Sequence, residues 1–491
     1  MSTIKMSSNT RPIKSSRARR NPNPNWDFYR NGLPDDKVTK KSDSPPSYPR
    51  LPPMQIETRG MKRNKRSHIN NKHIPASRPS IPPTYKRRRK EETQAHLQYG
   101  DNYPNHISTI SHTSNHYQSH SSLDSSRQAV IPNHDEKDGH YIVKVGEILE
   151  NRYKILCQLG QGTFGKVVKC LDRSTNRLVA VKIIRAVQKY RDASRIEIRV
   201  LNTLKEKDPD SVHKCIQLRD WFDHRNHICM VFDLYGISLF DFLKQNDFNP
   251  FPFNQIQHIA RQLLYSVAFV HSLRLVHTDL KPENILLVND YYKCIPSRRT
   301  PGKMKRILYE SEIRLIDFGS ATFDDEYHSS VVSTRHYRAP EVILGLGWSY
   351  ACDLWSVGCI LVELFTGEAL FQTHENLEHL AMMEHILGRI PDRIIKQMCR
   401  ANQLKYFKGN KILNYPNDET TKQSRKYVRS LRTLDEIIEP KKSPFREQFC
   451  DLLQQLLLYD PNERITARDA LRHPFFYMSF DEEGRQIRQI Y

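Results

Sequence analysis

An α+β fold in two lobes is the architecture this sequence predicts, and three observations carry it. Residues from Tyr153 to Leu234 read as strands, interrupted by one helical stretch around Ile196–Leu204. From Phe253 onward, long segments with apolar residues at helical spacing take over. Five short motifs then follow in one fixed order across that boundary: Gly160-Gln161-Gly162-Thr163-Phe164-Gly165-Lys166-Val167, Val179-Ala180-Val181-Lys182, His277-Thr278-Asp279-Leu280-Lys281-Pro282-Glu283-Asn284, Asp317-Phe318-Gly319 and Ala339-Pro340-Glu341. The expected arrangement is a small antiparallel β-sheet N-lobe with one main helix (153–235) and a larger, mostly helical C-lobe (236–476).

What precedes the lobes is of another kind. The 491-residue chain has a formal net charge of +21. Residues 1–140 hold 25 Lys and Arg against 12 Asp and Glu; the remainder holds 51 against 43, so the basic excess is concentrated at the start. Residues 1–137 are rich in Pro, Ser, Asn, Arg and His and lack apolar periodicity. Such a segment buries too little surface to offset its ordering entropy and is expected to be disordered. Its cluster Lys86-Arg87-Arg88-Arg89-Lys90 fits a nuclear import signal, the plain alternative being a solvated charge run. A weak RNA contact through this basic tail is conceivable by counterion release, without base stacking because no aromatic residue interleaves the clusters.

Order is expected to begin near Gly139, with a lead-in segment at 138–152, and a short polar tail is expected at 477–491. Nine cysteines without a C-x-x-C pair fit a reduced intracellular protein. No apolar run approaches the ~20 residues needed to span a bilayer, and no secretory signal opens the chain. A soluble protein, monomeric and without membrane contact, is the expectation.

The glycine loop lies between strand-like runs at Tyr153–Leu159 and Lys166–Asp172. Glycines let backbone N–H groups approach phosphate oxygens without obstruction. A lone G-x-G-x-x-G is ambiguous, but here the loop runs into a strand, not a helix, which separates it from a dinucleotide fingerprint. Lys182 is the residue to neutralise the α- and β-phosphates of a nucleoside triphosphate, and Glu197 on the predicted helix is the carboxylate to position it. Phe232, Asp233 and Leu234 close the strand lobe where the backbone would meet a base, and Val167, Ala180 and Leu286 would pack on its faces. The predicted nucleotide-contacting set is Leu159, Gly160, Gln161, Gly162, Thr163, Phe164, Gly165, Lys166, Val167, Ala180, Lys182, Phe232, Asp233, Leu234 and Leu286.

In the helical half, Asp279 is expected to orient a substrate hydroxyl and accept its proton, and Lys281 to reach the transferring phosphoryl group. Asn284 and Asp317 offer the oxygen donors that magnesium favours. Glu341 is expected to pair with Arg464, and Asp353 to bond the backbone of the loop carrying Asp279.

As a set, these motifs are similar to the signature of protein kinases. Glu378-His379-Leu380-Ala381-Met382-Met383-Glu384-His385-Ile386-Leu387-Gly388 resembles the stretch that names the LAMMER, or Cdc-like, kinases. The His277–Asn284 block and Ser333-Thr334-Arg335-His336-Tyr337-Arg338 look like that family too. The resemblance covers roughly residues 139–476. It implies a bilobal protein-kinase fold, ATP and Mg2+ as cofactors, and dual specificity for Ser/Thr and, by autophosphorylation, Tyr. It further implies a nuclear location, with a cytoplasmic share, and Arg/Ser-rich splicing factors as substrates, so that the enzyme regulates pre-mRNA splicing. Glu283 then becomes a reader of substrate Arg, because a carboxylate matches guanidinium in bidentate fashion; Asp324-Asp325-Glu326 is a second acidic cluster.

Three features depart from, or add to, the pattern. His385 stands where the namesake motif has Arg; Leu380, Met383 and Leu387 lie on one helical face, so the motif reads as core packing. Thr278 stands where most kinases have an Arg that pairs with an activation-segment phosphate, so activity is expected not to depend on such a phosphate. An insert at 291–311 carries the basic stretches Ser297-Arg298-Arg299 and Lys303-Met304-Lys305-Arg306 and reads as a docking surface or a tolerated loop. The competing function is a catalytically silent nuclear scaffold that binds splicing proteins through its basic tail. The neighbouring kinase group with a Tyr-x-Tyr activation loop does not fit Val332-Ser333-Thr334-Arg335-His336.

Overall fold

The computed structural model describes residues 135–297 and 302–487. Residues 1–134 of the tail expected to be disordered, with its import signal and its RNA contact, lie outside the described residues, as do Arg298 and Arg299 of the insert; residues 135–137 are described and are not disordered, since Asp135 bonds His227 and Glu136 bonds Lys166.

The upper sheet is built from β1 (Ile148–Leu149), β2 (Tyr153–Gly162), β3 (Gly165–Asp172), β4 (Arg177–Ile184), β5 (Leu218–His224) and β6 (His227–Asp233). All pairings are antiparallel, in the order β1-β2-β3-β4-β6-β5. Side chains alternate between the two faces of a strand. One face carries Val168, Cys170, Val179, Val181, Ile183, Cys229 and Val231 into a small core with Tyr141, Leu149, Tyr153 and Ile155. The opposite face carries Val167 across from Lys182, and Ala180 across from Phe232, towards the cleft between the lobes. The β2–β3 turn approaches β4 so closely at Gly165 that a Cβ there would lie 2.1 Å from the Ile183 carbonyl oxygen.

Helix α1 spans Gln188–Lys207, two turns longer at its start than the stretch read from the sequence. The reason is that its first buried positions are mostly polar. Arg191 donates to the Asn226 carbonyl at 2.5 Å and to Asp223 at 2.6 Å, and Ser194 bonds the Arg191 carbonyl, so burial there leaves little apolar signal.

The lower lobe is organised round α2 (Leu239–Gln245), α3 (Phe253–Ser272), α4 (Pro340–Leu344), α5 (Ala351–Thr366) and α6 (Asn376–Leu387). Helix α5 buries residues on every side, as a central helix of a large core must. Small two-stranded ladders, β7 (Leu275–Val276) with β12 (Thr322–Phe323) and β8 (Ile285–Leu287) with β11 (Ile313–Leu315), bracket the loop 277–284 and the turn at Asp317. The insert forms a hairpin of β9 (Tyr292–Pro296) and β10 (Met304–Leu308). In α6, Leu380 and Met383 are fully buried, Leu387 packs against the same core, and Gly388 at φ +89° ends the helix. His385 lies apart from that core and bonds the Leu431 carbonyl at 2.8 Å.

Two terminal expectations need correction. The lead-in 138–152 is part of the N-lobe: order extends back to Asp135, and Tyr141 is 1% exposed in the upper core. The polar tail at 477–491 contains a hairpin, Ser479–Phe480 with Gln486–Ile487, anchored by Phe480 against Phe445 and Phe475. A single aromatic anchor in a polar stretch is easily overlooked by periodicity. Among the described residues, no helix is long and apolar enough to cross a membrane.

Candidate active site

The cleft between sheet and helices holds a cavity of about 490 Å³. Its apolar end is lined by Leu159, Val167, Ala180, Phe232, Leu234 and Leu286, with Asp233 alongside. Its polar end is lined by Gly160, Gly162, Gly165, Lys182, Glu197, Asn284 and Asp317, with Phe164 at the loop tip. The predicted set therefore converges, except for three residues. Gln161 and Thr163 are exposed and do not line the cavity. Lys166 lies on the far side of the loop, buried, its Nζ 2.6 Å from Glu136 and 3.0 Å from the Tyr141 carbonyl. Strand alternation sends its side chain away from Gly165 and Val167, and the lead-in segment supplies its partners.

Lys182 Nζ donates to both Glu197 oxygens at 2.8 and 3.0 Å and to Asp317 Oδ1 at 3.2 Å. Burial works against the ammonium, but the two carboxylates outweigh it and raise its pKa, so Lys182 stays charged. Lys182 in turn holds the Asp317 carboxyl below the ordinary range. Asp317 sits at φ +61°, an uncommon conformation for a non-glycine residue that aims its side chain into the cleft, and Phe318 beside it is buried against His277.

Asp279 is held from three directions. Its Oδ2 accepts from Lys281 at 2.6 Å; its Oδ1 accepts from the Thr334 N–H at 2.9 Å and the Thr334 hydroxyl at 2.7 Å. Burial alone would raise the Asp279 pKa, yet the Lys281 and Thr334 donors prevail and lower it, which keeps the carboxylate ionised. Lys281 also reaches Thr334 Oγ1 at 3.1 Å. The sequence marks Thr334 only as part of a family motif; its place three residues before the buried Tyr337 gives no hint of contact with Asp279. Asp241, which also lines the cavity at the start of α2, was not singled out.

The surrounding frame is buried and polar. Asp353 accepts from the His277 and Thr278 backbone N–H groups at 2.8 and 2.9 Å. Glu341 and Arg464 form a two-pronged ion pair at 2.7 and 2.9 Å with both side chains fully buried. Thr278, at φ +67°, donates to the Ser320 carbonyl at 2.8 Å.

A second cavity, of about 1000 Å³, opens beside the loop carrying Asp279. Glu283, Glu363, Glu368 and Glu378 line it together with Tyr337 and Tyr427. Glu283 Oε2 is buried without a hydrogen-bond partner, and burial raises its pKa. Burial pushes the Glu363 carboxyl up to about 7 despite a 2.7 Å bond from the Tyr337 hydroxyl. Asp324, Asp325 and Glu326 lie elsewhere, on the exposed part of the segment after β12, where Glu326 pairs with Arg199 of α1 at 2.6 Å.

A deep interlobe pocket with a lysine–carboxylate pair at its polar end, next to a carboxylate poised for a hydroxyl, defines a phosphotransferase of the protein kinase class. Residues 153–476 match the protein kinase domain family. The dual specificity protein kinase lkh1 of Schizosaccharomyces pombe is 57% identical over 344 residues, covering 70% of this chain and 49% of that protein. The serine/threonine-protein kinase AFC1 of Arabidopsis thaliana is 51% identical, covering 71% of this chain and 76% of that protein. The human dual specificity protein kinase CLK2 is 48% identical, covering 70% and 67% respectively. A kinase domain solved by crystallography superposes with a TM-score of 0.65 at 36% identity, covering 70% of this chain and 100% of that one. The chain belongs to the protein kinases and, within them, to the LAMMER, or Cdc-like, dual-specificity group, whose members use ATP and a divalent metal. It spans about half the length of the fission-yeast relative.

Proposed function

We propose that the protein transfers the γ-phosphoryl group of ATP to Ser and Thr hydroxyls of Arg/Ser-rich nuclear proteins that act in pre-mRNA splicing, and to Tyr in its own chain. The observation that carries this reading is the adjacency of an ionised, donor-held Asp279 to an acidic cavity whose Glu283 oxygen lacks a donor. A buried carboxylate oxygen without a partner is costly, and a guanidinium supplies two donors in the matching geometry.

In this reading Asp279 orients the acceptor hydroxyl and takes its proton late, and Lys281 meets the transferred group. Lys182, fixed by Glu197, holds the α- and β-phosphates. Asn284 spends its amide nitrogen on the Asp279 carbonyl at 2.9 Å, which leaves its side-chain oxygen, with Asp317, as a hard donor set suited to Mg2+. That ion, when bound, neutralises phosphate charge. The basic cluster Lys86–Lys90 supports nuclear import, with a cytoplasmic share, of a monomeric enzyme whose tail makes a weak RNA contact.

Phosphorylation of a peptide array by the purified protein tests the reading. Incorporation is expected on Ser flanked by Arg and lost in Lys182→Met; equal labelling by both proteins would refute catalysis. Glu283→Gln is expected to weaken the preference for flanking Arg while leaving peptides without Arg unaffected.

A further inference from the structure

The segment ahead of β1 is not merely packed on the N-lobe; it is tied to the glycine loop. Residues 135–141 fold back as a tight turn, with the Glu136 N–H bonded to the His140 carbonyl at 2.8 Å and Asp135 bridging to Tyr141. Gly139, at φ +84°, passes so near Val187 that a Cβ would meet its side chain at 2.9 Å, and its carbonyl accepts from the Ala186 N–H at 2.9 Å. Asp135 is anchored to the buried His227 at 2.8 Å, and Glu136 to Lys166. From this turn the His140 ring, 4% exposed, reaches out: Nδ1 lies 2.8 Å from Asp138 Oδ2, and Nε2 lies 3.1 Å from the Gly162 carbonyl oxygen at the loop tip.

The next two loop carbonyls are tied as well. Arg185 Nη1 donates to the Thr163 carbonyl at 3.3 Å, and the Arg185 N–H to the Phe164 carbonyl at 3.0 Å. Arg185 also bonds the Asp138 carbonyl through Nε at 2.9 Å and through Nη2, so the strap and the loop share one guanidinium. A trans peptide points its N–H opposite to the preceding C=O. Fixing the carbonyls of Gly162, Thr163 and Phe164 therefore also fixes the direction of the N–H groups that follow them in the loop, the kind of group a glycine loop offers to phosphate oxygens.

We propose that residues 135–141 form a strap that sets the glycine loop over the nucleotide phosphates, with His140 as the positioning residue that holds it through the Gly162 carbonyl. The proposal rests on the kinase reading, so wild type and Lys182→Met are run alongside: if these two do not differ, the kinase reading fails, whatever the strap does. The full chain carrying His140→Ala, His140→Asn or His140→Gln is assayed for KM of ATP, KM of an Arg/Ser peptide, kcat, and inhibition by adenosine, which has no phosphates. Gln places an amide donor near the Nε2 position and Asn near Nδ1 only. The expected result is a rise in KM for ATP of about 3- to 10-fold in the Ala and Asn variants, the worth of one hydrogen bond. Peptide KM and adenosine inhibition are unchanged, and the Gln variant returns to within about 2-fold of wild type. An unchanged KM for ATP in the Ala and Asn variants, equal weakening of ATP and adenosine, or no rescue by Gln would each overturn it. So would loss of folded protein in all three variants, read by thermal melting, because His140 would then serve stability alone.

Discussion

Removing the Thr334 hydroxyl should disarm Asp279 without touching a residue of the catalytic motifs. In Thr334→Val the shape is kept, but Asp279 loses the 2.7 Å bond from Oγ1, and Lys281 loses its 3.1 Å contact; the 2.9 Å backbone bond and the 2.6 Å bond from Lys281 remain. A hydrogen bond to a charged group contributes about 1.5–3 kcal/mol. If it is made in full only in the transition-state arrangement, kcat/KM falls about 10- to 150-fold. A second consequence follows from charge. The Lys281 and Thr334 donors lower the Asp279 pKa, so losing one moves that pKa up and carries the acid limb of the rate profile towards neutral pH. Initial rates on an Arg/Ser peptide across the acid to neutral range measure both effects, with Thr334→Ser as the hydroxyl-bearing control. A Thr334→Val enzyme with wild-type kcat/KM and an unmoved acid limb would refute the reasoning, because the Thr334 hydroxyl would then have no part in positioning Asp279.

Other outcomes can be checked in the same preparation. Glu363, pushed up to about 7 by burial, ionises as pH rises through that value. KM for Arg-flanked peptides should therefore fall between about pH 6 and 8, KM for Arg-free peptides should not, and Glu363→Gln should flatten the difference. The stability sign is opposite: the raised carboxyl favours the fold below its ordinary 4.5 and loses that contribution as pH climbs to about 7, which melting curves of wild type and Glu363→Gln should resolve. Arg464→Ala leaves Glu341 buried and unpaired and strips the Leu458 and Ala351 carbonyls of a donor, a loss of about 3–5 kcal/mol or roughly 4–7 °C in melting temperature; a melt within a degree of wild type would contradict it. Phosphatase treatment of active enzyme should leave most activity in place, since Thr278 offers no cation to a phosphate and is bonded to Ser320.

The lobes were legible because their patterns are carried by apolar residues: period two through Val168, Cys170, Val179 and Val181, helical spacing through α3, and a long apolar run through α5. The catalytic grouping was legible only through motif likeness, since no spacing rule brings Lys182 to Asp317 across 135 positions. What escaped notice is polar and local to partners far away in sequence. The start of α1 hides its burial behind Arg191 and Ser194, and the strap 135–141 reads as a charged run because its anchors, His227 and Lys166, are distant. Lys166 was drawn into the nucleotide set by membership of the loop, although strand alternation already assigned it to the other face.

The same distribution of contacts explains how the activation segment, Asp317 to Glu341, can be held without a phosphate. Its early part is held by the buried Phe318, by the β12–β7 ladder, and by the exposed pair of Glu326 with Arg199, the last worth at most about 1 kcal/mol. Its later part is fixed by contacts to different parts of the C-lobe: the half-buried Thr334 to Asp279, and the buried pairs of Tyr337 with Glu363 on α5 and of Glu341 with Arg464. The part leading to Glu341 is thus tied to the C-lobe by contacts that involve no phosphate. A phosphate near Glu326 would add negative charge where a carboxylate already pairs with Arg199 of α1, which leaves it little to gain.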